Sequence, residues 1–198
     1  MGVSSEGAKS VWRARVLAAR AALPADRLAT AAEAVTRHVL ARLAGAARVA
    51  AYVPVGREPG SVALLDRLRA GGTEVLLPVV VPGGLHWGRY DGGGLVAGPL
   101  GTRQPGGAAL GPAALGTVDA VLLPALAVDH RGVRLGRGGG YYDRALAAAP
   151  TGAVLVALLH DGELVDELPA DPWDRSVTAA VTPTAGWTDL PVVEHHGR

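Results

Sequence analysis

Val118-Asp-Ala-Val-Leu-Leu-Pro-Ala-Leu-Ala-Val-Asp129, followed by Arg134-Leu-Gly-Arg-Gly-Gly-Gly-Tyr-Tyr-Asp143, is the stretch on which the fold turns. Val118–Leu123 is a short apolar run of the kind that forms a strand buried on both faces. Downstream come Gly136, Arg137 and three successive glycines, Gly138 to Gly140, and a helix is expected from Tyr141. Strand, glycine-rich loop and helix together make a phosphate-binding arrangement. Glycine lets the backbone approach an anion closely, and the free N–H groups and positive dipole end of a helix favour negative charge. Arg134 and Arg137 add guanidinium groups suited to phosphate oxygens. The spacing is neither that of a P-loop nor that of a dinucleotide fingerprint. A flexible turn with two solvated arginines remains the competing reading, and on the residues alone both stay open.

Outward from this stretch, the pattern alternates. Lys9–Ala22 reads as a helix ended by Pro24, and a second begins with Asp26 as N-cap. In that second helix Leu28, Ala31, Ala32, Val35, Val39 and Leu43 share one face, and Gly45 is its stop. Arg48–Val55, Thr73–Val81, Leu85–Tyr90, Ala153–Leu159 and Thr178–Thr182 read as strands, and Ser61–Ala70 and Tyr141–Ala149 as helices. Gly92–Thr117 is rich in glycine and proline and reads as loop with a helical turn. The expectation is one α/β domain over 1–198: a three-layer α/β/α sandwich around a largely parallel sheet.

Composition narrows the function. The chain has 198 residues, 49% hydrophobic and 19% charged, with no phenylalanine and no cysteine. A sizeable core is therefore available, and disulfides, thiolate metal sites and a cysteine nucleophile are excluded. A net charge of +1 argues against a general nucleic-acid binder. Met1 to Ser10 lacks the apolar core of a signal peptide, and no apolar run is long enough to span a bilayer. The expectation is a cytoplasmic protein with no membrane or nucleic-acid partner, and a monomer.

Individual side chains carry further readings. Asp143 stands where a carboxylate could hold Mg²⁺ against a nucleotide, and Asp174 could be a second ligand if the fold brings it near. Lys9 and Arg13 are four apart and share a helix face from which they could donate to phosphates. Glu58 follows a strand, where ligands bind in open α/β sheets, and could accept from the N–H edge of a heterocycle. Tyr141, Tyr142, Trp87 and Trp173 could stack on a flat ring. For each of these a structural role competes: a solvated basic face, a cap, a loop carboxylate, core packing. His86 and His160 receive no catalytic role, and the pair His195–His196 reads as a solvated end.

The run Leu123 to Asp129, Gly132 and Arg134 to Asp143 closely resembles the signature of the 5-formyltetrahydrofolate cyclo-ligases, also called methenyltetrahydrofolate synthetases. The likeness extends in order along nearly the whole chain, through Lys9-Ser-Val-Trp-Arg13, Ala51-Tyr-Val-Pro54, Glu58, Leu76-Leu-Pro78, Pro172-Trp-Asp174 and Val181-Thr182. The resemblance implies ATP- and Mg²⁺-dependent cyclisation of 5-formyltetrahydrofolate to 5,10-methenyltetrahydrofolate through an iminium phosphate, on a fold shared with sugar-phosphate isomerases and CoA transferases. It assigns ATP to Lys9, Arg13, Arg134, Leu135, Gly136, Arg137, Gly138, Gly139, Gly140, Tyr141 and Tyr142. Folate falls to Val53, Glu58 and the run Arg137 to Tyr141, Mg²⁺ to Asp143 and Asp174, and the transferred group to Arg137 and Tyr141. The chain departs from the family pattern at Arg137 and Gly139, where many members carry lysine or tyrosine, and at Gln104 and Thr178. A divergent nucleotide-binding relative, and an isomerase or CoA transferase of similar architecture, are the alternatives.

Overall fold

The computed structural model describes residues 5–171 and 174–191. Trp173 and the pair His195–His196 lie outside those residues. Helix α1 (Ser5–Ala21) and helix α2 (Ala25–Arg42) open the chain. Pro24, not Asp26, is the N-cap of α2, because its extended backbone ends one helix and admits the next; Asp26 instead sits in the first turn. There its charge meets the positive end of the helix dipole. Strand β1 covers only Arg48–Ala50, shorter than the apolar run suggests. Beyond it the chain leaves the ladder to build a loop with Gly56 and Gly60 at positive φ. Helix α3 (Val62–Ala70) is capped by Ser61, whose hydroxyl accepts from the Leu64 N–H at 3.1 Å.

Strands β2 (Glu74–Val81) and β3 (Gly84–Arg89) follow, then a small hairpin of β4 (Leu95–Ala97) and β5 (Arg103–Pro105) inside the expected loop. The signature stretch supplies β6 (Ala120–Pro124), β7 (Ala127–Asp129), β8 (Arg134–Leu135) and helix α4 (Tyr141–Ala145), which tightens into a 3₁₀ turn over Leu146–Ala148. Strands β9 (Val154–Leu158), β10 (Leu164–Val165), β11 (Ala179–Thr182) and β12 (Gly186–Asp189) complete it. The main sheet has the order β12-β11-β9-β6-β1-β2-β3. Its five inner strands are parallel, and β3 and β12 close the edges antiparallel.

Alternate residues of the inner strands serve two cores, as expected of a sheet buried on both faces. Val49, Val75, Leu77, Leu122, Val156 and Val181 face Val35 and Val39 of α2 and Leu64, Leu65 and Leu68 of α3. Ala50, Leu76, Val121, Leu123, Leu155 and Ala180 point the other way, onto Leu115, Leu146 and Tyr142. Each fully buried leucine or valine contributes roughly 1.5–3 kcal/mol. The fold is thus the expected α/β sandwich with a mostly parallel sheet, and its second outer layer is thin: α4 and 3₁₀ turns rather than long helices. Trp87 is 1% exposed and packs in that second core, so it is no stacking platform. Among the described residues no helix is long and apolar enough to cross a membrane.

A second sheet, β10-β7-β8, stands beside the main one and carries α1 on it. Trp12 and Val16 of α1 pack on Leu126, Ala127, Leu135 and Leu168. The helix is also held by charge. Arg20 donates Nε and Nη2 to the two oxygens of Glu163 at 2.7 Å, and Nη2 also to the Ala125 carbonyl. Both side chains are buried, at 5% and 8% exposed. Removing one partner of such a pair strands the other charge. Glu163→Ala is expected to cost about 3–5 kcal/mol, read as a lowered urea midpoint, with Arg20→Ala similar and the double variant less than additive.

Candidate active site

The glycine loop is built from a turn. Asp129 closes β7, is completely buried, and its carboxylate accepts from the backbone N–H of Arg131, Val133 and Leu168. Arg131 adds its guanidinium and bridges on to the Leu168 carbonyl. Gly132 sits at φ +86 with its Cβ position 2.4 Å from the Val177 carbonyl oxygen, so no side chain fits. Its own carbonyl accepts from the Val177 N–H. The turn therefore pins Leu168 and Val177, the ends of the segment that carries Asp171 and Asp174, and sends β8 toward Gly136. The resemblance marked Asp129 and Gly132 as signature residues; their structural task is this turn.

Gly136 to Gly140 then runs as a wall between two clefts. Gly138 and Gly140 take positive φ, at +97° and +63°, which favours glycine. Arginines wrap the loop: a Cβ on Gly136 would lie 3.0 Å from Arg134, one on Gly138 3.5 Å from Arg13, one on Gly140 2.8 Å from Arg144. Arg13 Nε donates to the Gly136 carbonyl at 3.0 Å, and its Nη1 to Glu6.

On one side lies a charged cleft of about 380 Å³. Lys9, Arg13, Arg134, Leu135, Gly136, Gly138, Gly140, Asp143 and Asp174 all line it, so α1, the loop, Asp171 and Asp174 converge, a meeting that spacing alone could not show and only the resemblance implied. Lys9 Nζ donates to Asp171 at 2.7 Å and to Asp174 at 2.6 Å. Burial alone would lower the Lys9 pKa, but the hydrogen bonds and charges of Asp171 and Asp174 outweigh it and raise it above the ordinary value. Arg134, 3% exposed, donates to Asp143 at 2.7 Å and lies 6.0 Å from the Tyr142 ring centre. Asp171, which sequence reasoning missed, is thus the second anchor of Lys9; its partner is 162 positions away, beyond any local signal.

On the other side lies a larger, mostly apolar cleft of about 460 Å³, within the usual range for small-molecule sites. Val53, Val55, Val80, Leu85 and Leu126 supply its apolar surface, at the carboxyl ends of the parallel strands. Arg137, Gly139, Tyr141 and Tyr142 face this side rather than the charged one. Glu58, 10% exposed, accepts from the Val55 N–H at 2.9 Å and from Arg137 Nε at 3.0 Å. Tyr52 donates from its buried phenol to the Pro59 carbonyl at 2.6 Å and so braces the loop that aims Glu58. Burial pushes the Tyr52 phenol, and that of Tyr142, well above the ordinary range, so both stay protonated donors.

His160 is buried, its ring nitrogen 3.0 Å from the Arg57 carbonyl, and His86 lines neither cleft. Gln104 accepts from the Val80 N–H and Thr178 from the Leu155 N–H. Both departures from the family pattern therefore have backbone-holding roles here.

A glycine-walled double cleft at the carboxyl edge of a parallel sheet, lined by charges of both signs on one side and mostly apolar on the other, is the site geometry of an α/β enzyme. The profile of the 5-formyltetrahydrofolate cyclo-ligase family matches residues 5–183, and the chain belongs to that family. The 5-formyltetrahydrofolate cyclo-ligase of Mycolicibacterium smegmatis is 49% identical over 144 residues, covering 70% of this chain and 74% of that protein. The Escherichia coli enzyme of the same name is 33% identical over 149 residues, covering 70% and 79%. The solved structure of Aquifex aeolicus 5,10-methenyltetrahydrofolate synthetase superposes with a TM-score of 0.74 at 27% identity, over 96% of this chain and 98% of that one.

Asp171 gives this site a pH dependence. The hydrogen bond from Lys9, first among its causes, holds the Asp171 carboxyl below the ordinary aspartate value. A depressed pKa stabilises the fold above the unfolded value, and that contribution is lost as pH falls. Asp171→Asn is expected to lower Tm at neutral pH, with the gap to the parent closing from about pH 4 downward; thermal melts at a pH series check it.

Proposed function

We propose that the chain, as one cyclo-ligase domain, converts 5-formyltetrahydrofolate and ATP to 5,10-methenyltetrahydrofolate, ADP and phosphate. The observation that supports this most is the glycine loop as common wall of the two clefts. ATP takes the charged cleft, its phosphates on Lys9, Arg13, Arg134 and the N–H groups of Gly136 to Gly140. The folate takes the apolar cleft, its pterin N–H edge on Glu58 and its face against Val53 and Tyr141. Only the loop separates them, so the reacting groups meet at Arg137 to Tyr141.

In the chemistry, the formyl oxygen attacks the γ-phosphorus and ADP leaves. N10 of the folate then attacks the iminium phosphate carbon, loses its proton, and phosphate departs. No protein nucleophile is needed. The chain positions two substrates and stabilises charge. Arg137, turned from Glu58, reaches the oxygens of the transferred group; Tyr141 and Tyr142 close the apolar side against water. Asp143 and Asp174, on the nucleotide side, would be the residues to hold Mg²⁺, which would supply neutralisation of the phosphate charge. One Asp143 oxygen is taken by Arg134, and the other makes no hydrogen bond among the described residues. On this reading the protein works in the cytoplasm, as a monomer, on small molecules.

The test is the rise of methenyltetrahydrofolate absorbance from purified protein and 5-formyltetrahydrofolate. It is expected only with both ATP and Mg²⁺. Turnover of a sugar phosphate or CoA ester without ATP would instead favour the isomerase or transferase reading. Arg137 is 56% exposed, so Arg137→Ala is expected to keep the parent's circular dichroism and Tm. Its kcat should drop by about 10²-fold or more, and a parental kcat would refute the role given to it.

A further inference from the structure

The β4–β5 hairpin lines the apolar cleft through Leu100, Thr102 and Arg103, yet none of these residues has a part in the chemistry above. The charges on the cleft wall do not balance. Its cations are Arg103, Arg134 and Arg137, and its acids are Glu58 and Asp143. Arg134 is matched by Asp143 and Arg137 by Glu58. Arg103 is left over: its side chain makes no hydrogen bond or ion pair among the described residues, and the group its charge acts on, the Tyr90 phenol, lies outside this cleft. An unmatched arginine on open surface is merely solvated, but this one edges a cleft whose other lining is mostly apolar.

The hairpin is also anchored rather than loose. Gln104 accepts from the Val80 N–H at 3.3 Å, and Pro105 packs under Gly88, where a Cβ would lie 3.2 Å away. At its tip Leu100 adopts φ +59°, the one positive φ outside glycine among the described residues. Its side chain is 76% exposed, on the cleft rather than in a core. A side chain held in the left-handed region and left uncovered points to a binding task more than a packing one.

We propose that Arg103 is the specificity residue for the carboxylates of the substrate's glutamyl tail, with Leu100 covering the apolar body between tail and pterin. This rests on the folate reading of the cleft. With Glu58 engaging the heterocycle and Arg103 the tail, both polar ends of one long molecule are matched by opposite charge or acceptor. The guanidinium fork suits a carboxylate in a way that a point charge does not.

The experiment compares KM for 5-formyltetrahydrofolate with KM for its analogue in which both tail carboxylates are amides. In the wild-type protein the diamide is expected to have a KM about tenfold higher, and added salt should narrow the difference. In Arg103→Gln the ratio should collapse toward one, and in Arg103→Lys it should be intermediate. General damage to the fold raises both KM values together and leaves the ratio in place. An unchanged ratio in Arg103→Gln, or a wild-type ratio already near one, overturns the assignment while leaving the cyclo-ligase reading intact. Absence of wild-type turnover on either compound overturns both.

Discussion

The buried carboxylate of Asp129 is the constraint from which the site is hung. A charge without solvent contact is tolerated only when its lone pairs are filled, and here three backbone N–H groups and one guanidinium fill them. Those donors come from two separate pieces of chain. The turn after β7 and the segment entering at Leu168 are thereby fixed to one point, and the Gly132 contact with Val177 fixes the far end of that segment. The glycine loop leaves from one piece and the two carboxylates under Lys9 stand on the other. The width of the charged cleft is set by a group that never touches it.

Around that frame, the site holds its own charges in pairs. Lys9 rests on Asp171 and Asp174, Arg134 on Asp143, Arg137 on Glu58. Such pairing keeps long side chains aimed and buried groups satisfied before any ligand arrives. The partners differ in exposure, and that difference separates their tasks. Arg134 is almost wholly buried and part of the wall, whereas Arg137 is more than half exposed and hinged to a nearly buried glutamate.

The inner strands and the second helix were legible because each carries a period or an unbroken apolar run over several residues, and the first helix because its composition favours helix with no Gly or Pro over Lys9–Ala22. The glycine loop and its arginines were legible too, as was the convergence of Lys9, Arg13, Asp143 and Asp174, though only through resemblance. What escaped was short or distant. Strands β8 and β10 have two residues each, too few for alternation to show. The β4–β5 hairpin hides in glycine and proline, and its pairing is decided by the β2–β3 surface under it. Asp171 drew no reading, because its partner Lys9 stands on α1, 162 positions away. Tyr52 lay inside an apolar run where its hydroxyl gave no signal, and for Trp87 stacking on a ligand and packing in the core both stood open until the second core covered it.

The wall of Gly136 to Gly140 is one backbone thick and serves two chambers at once. Gly136, Gly138 and Gly140 line both chambers, so a side chain at any of them would intrude on both, whereas Arg137 and Gly139 face only the apolar one. At the outer rims a substitution meets one chamber alone: on α1 the charged one, on the β4–β5 hairpin the apolar one. The centre of such a site records the reaction, and its margins record the history of what was fed to it.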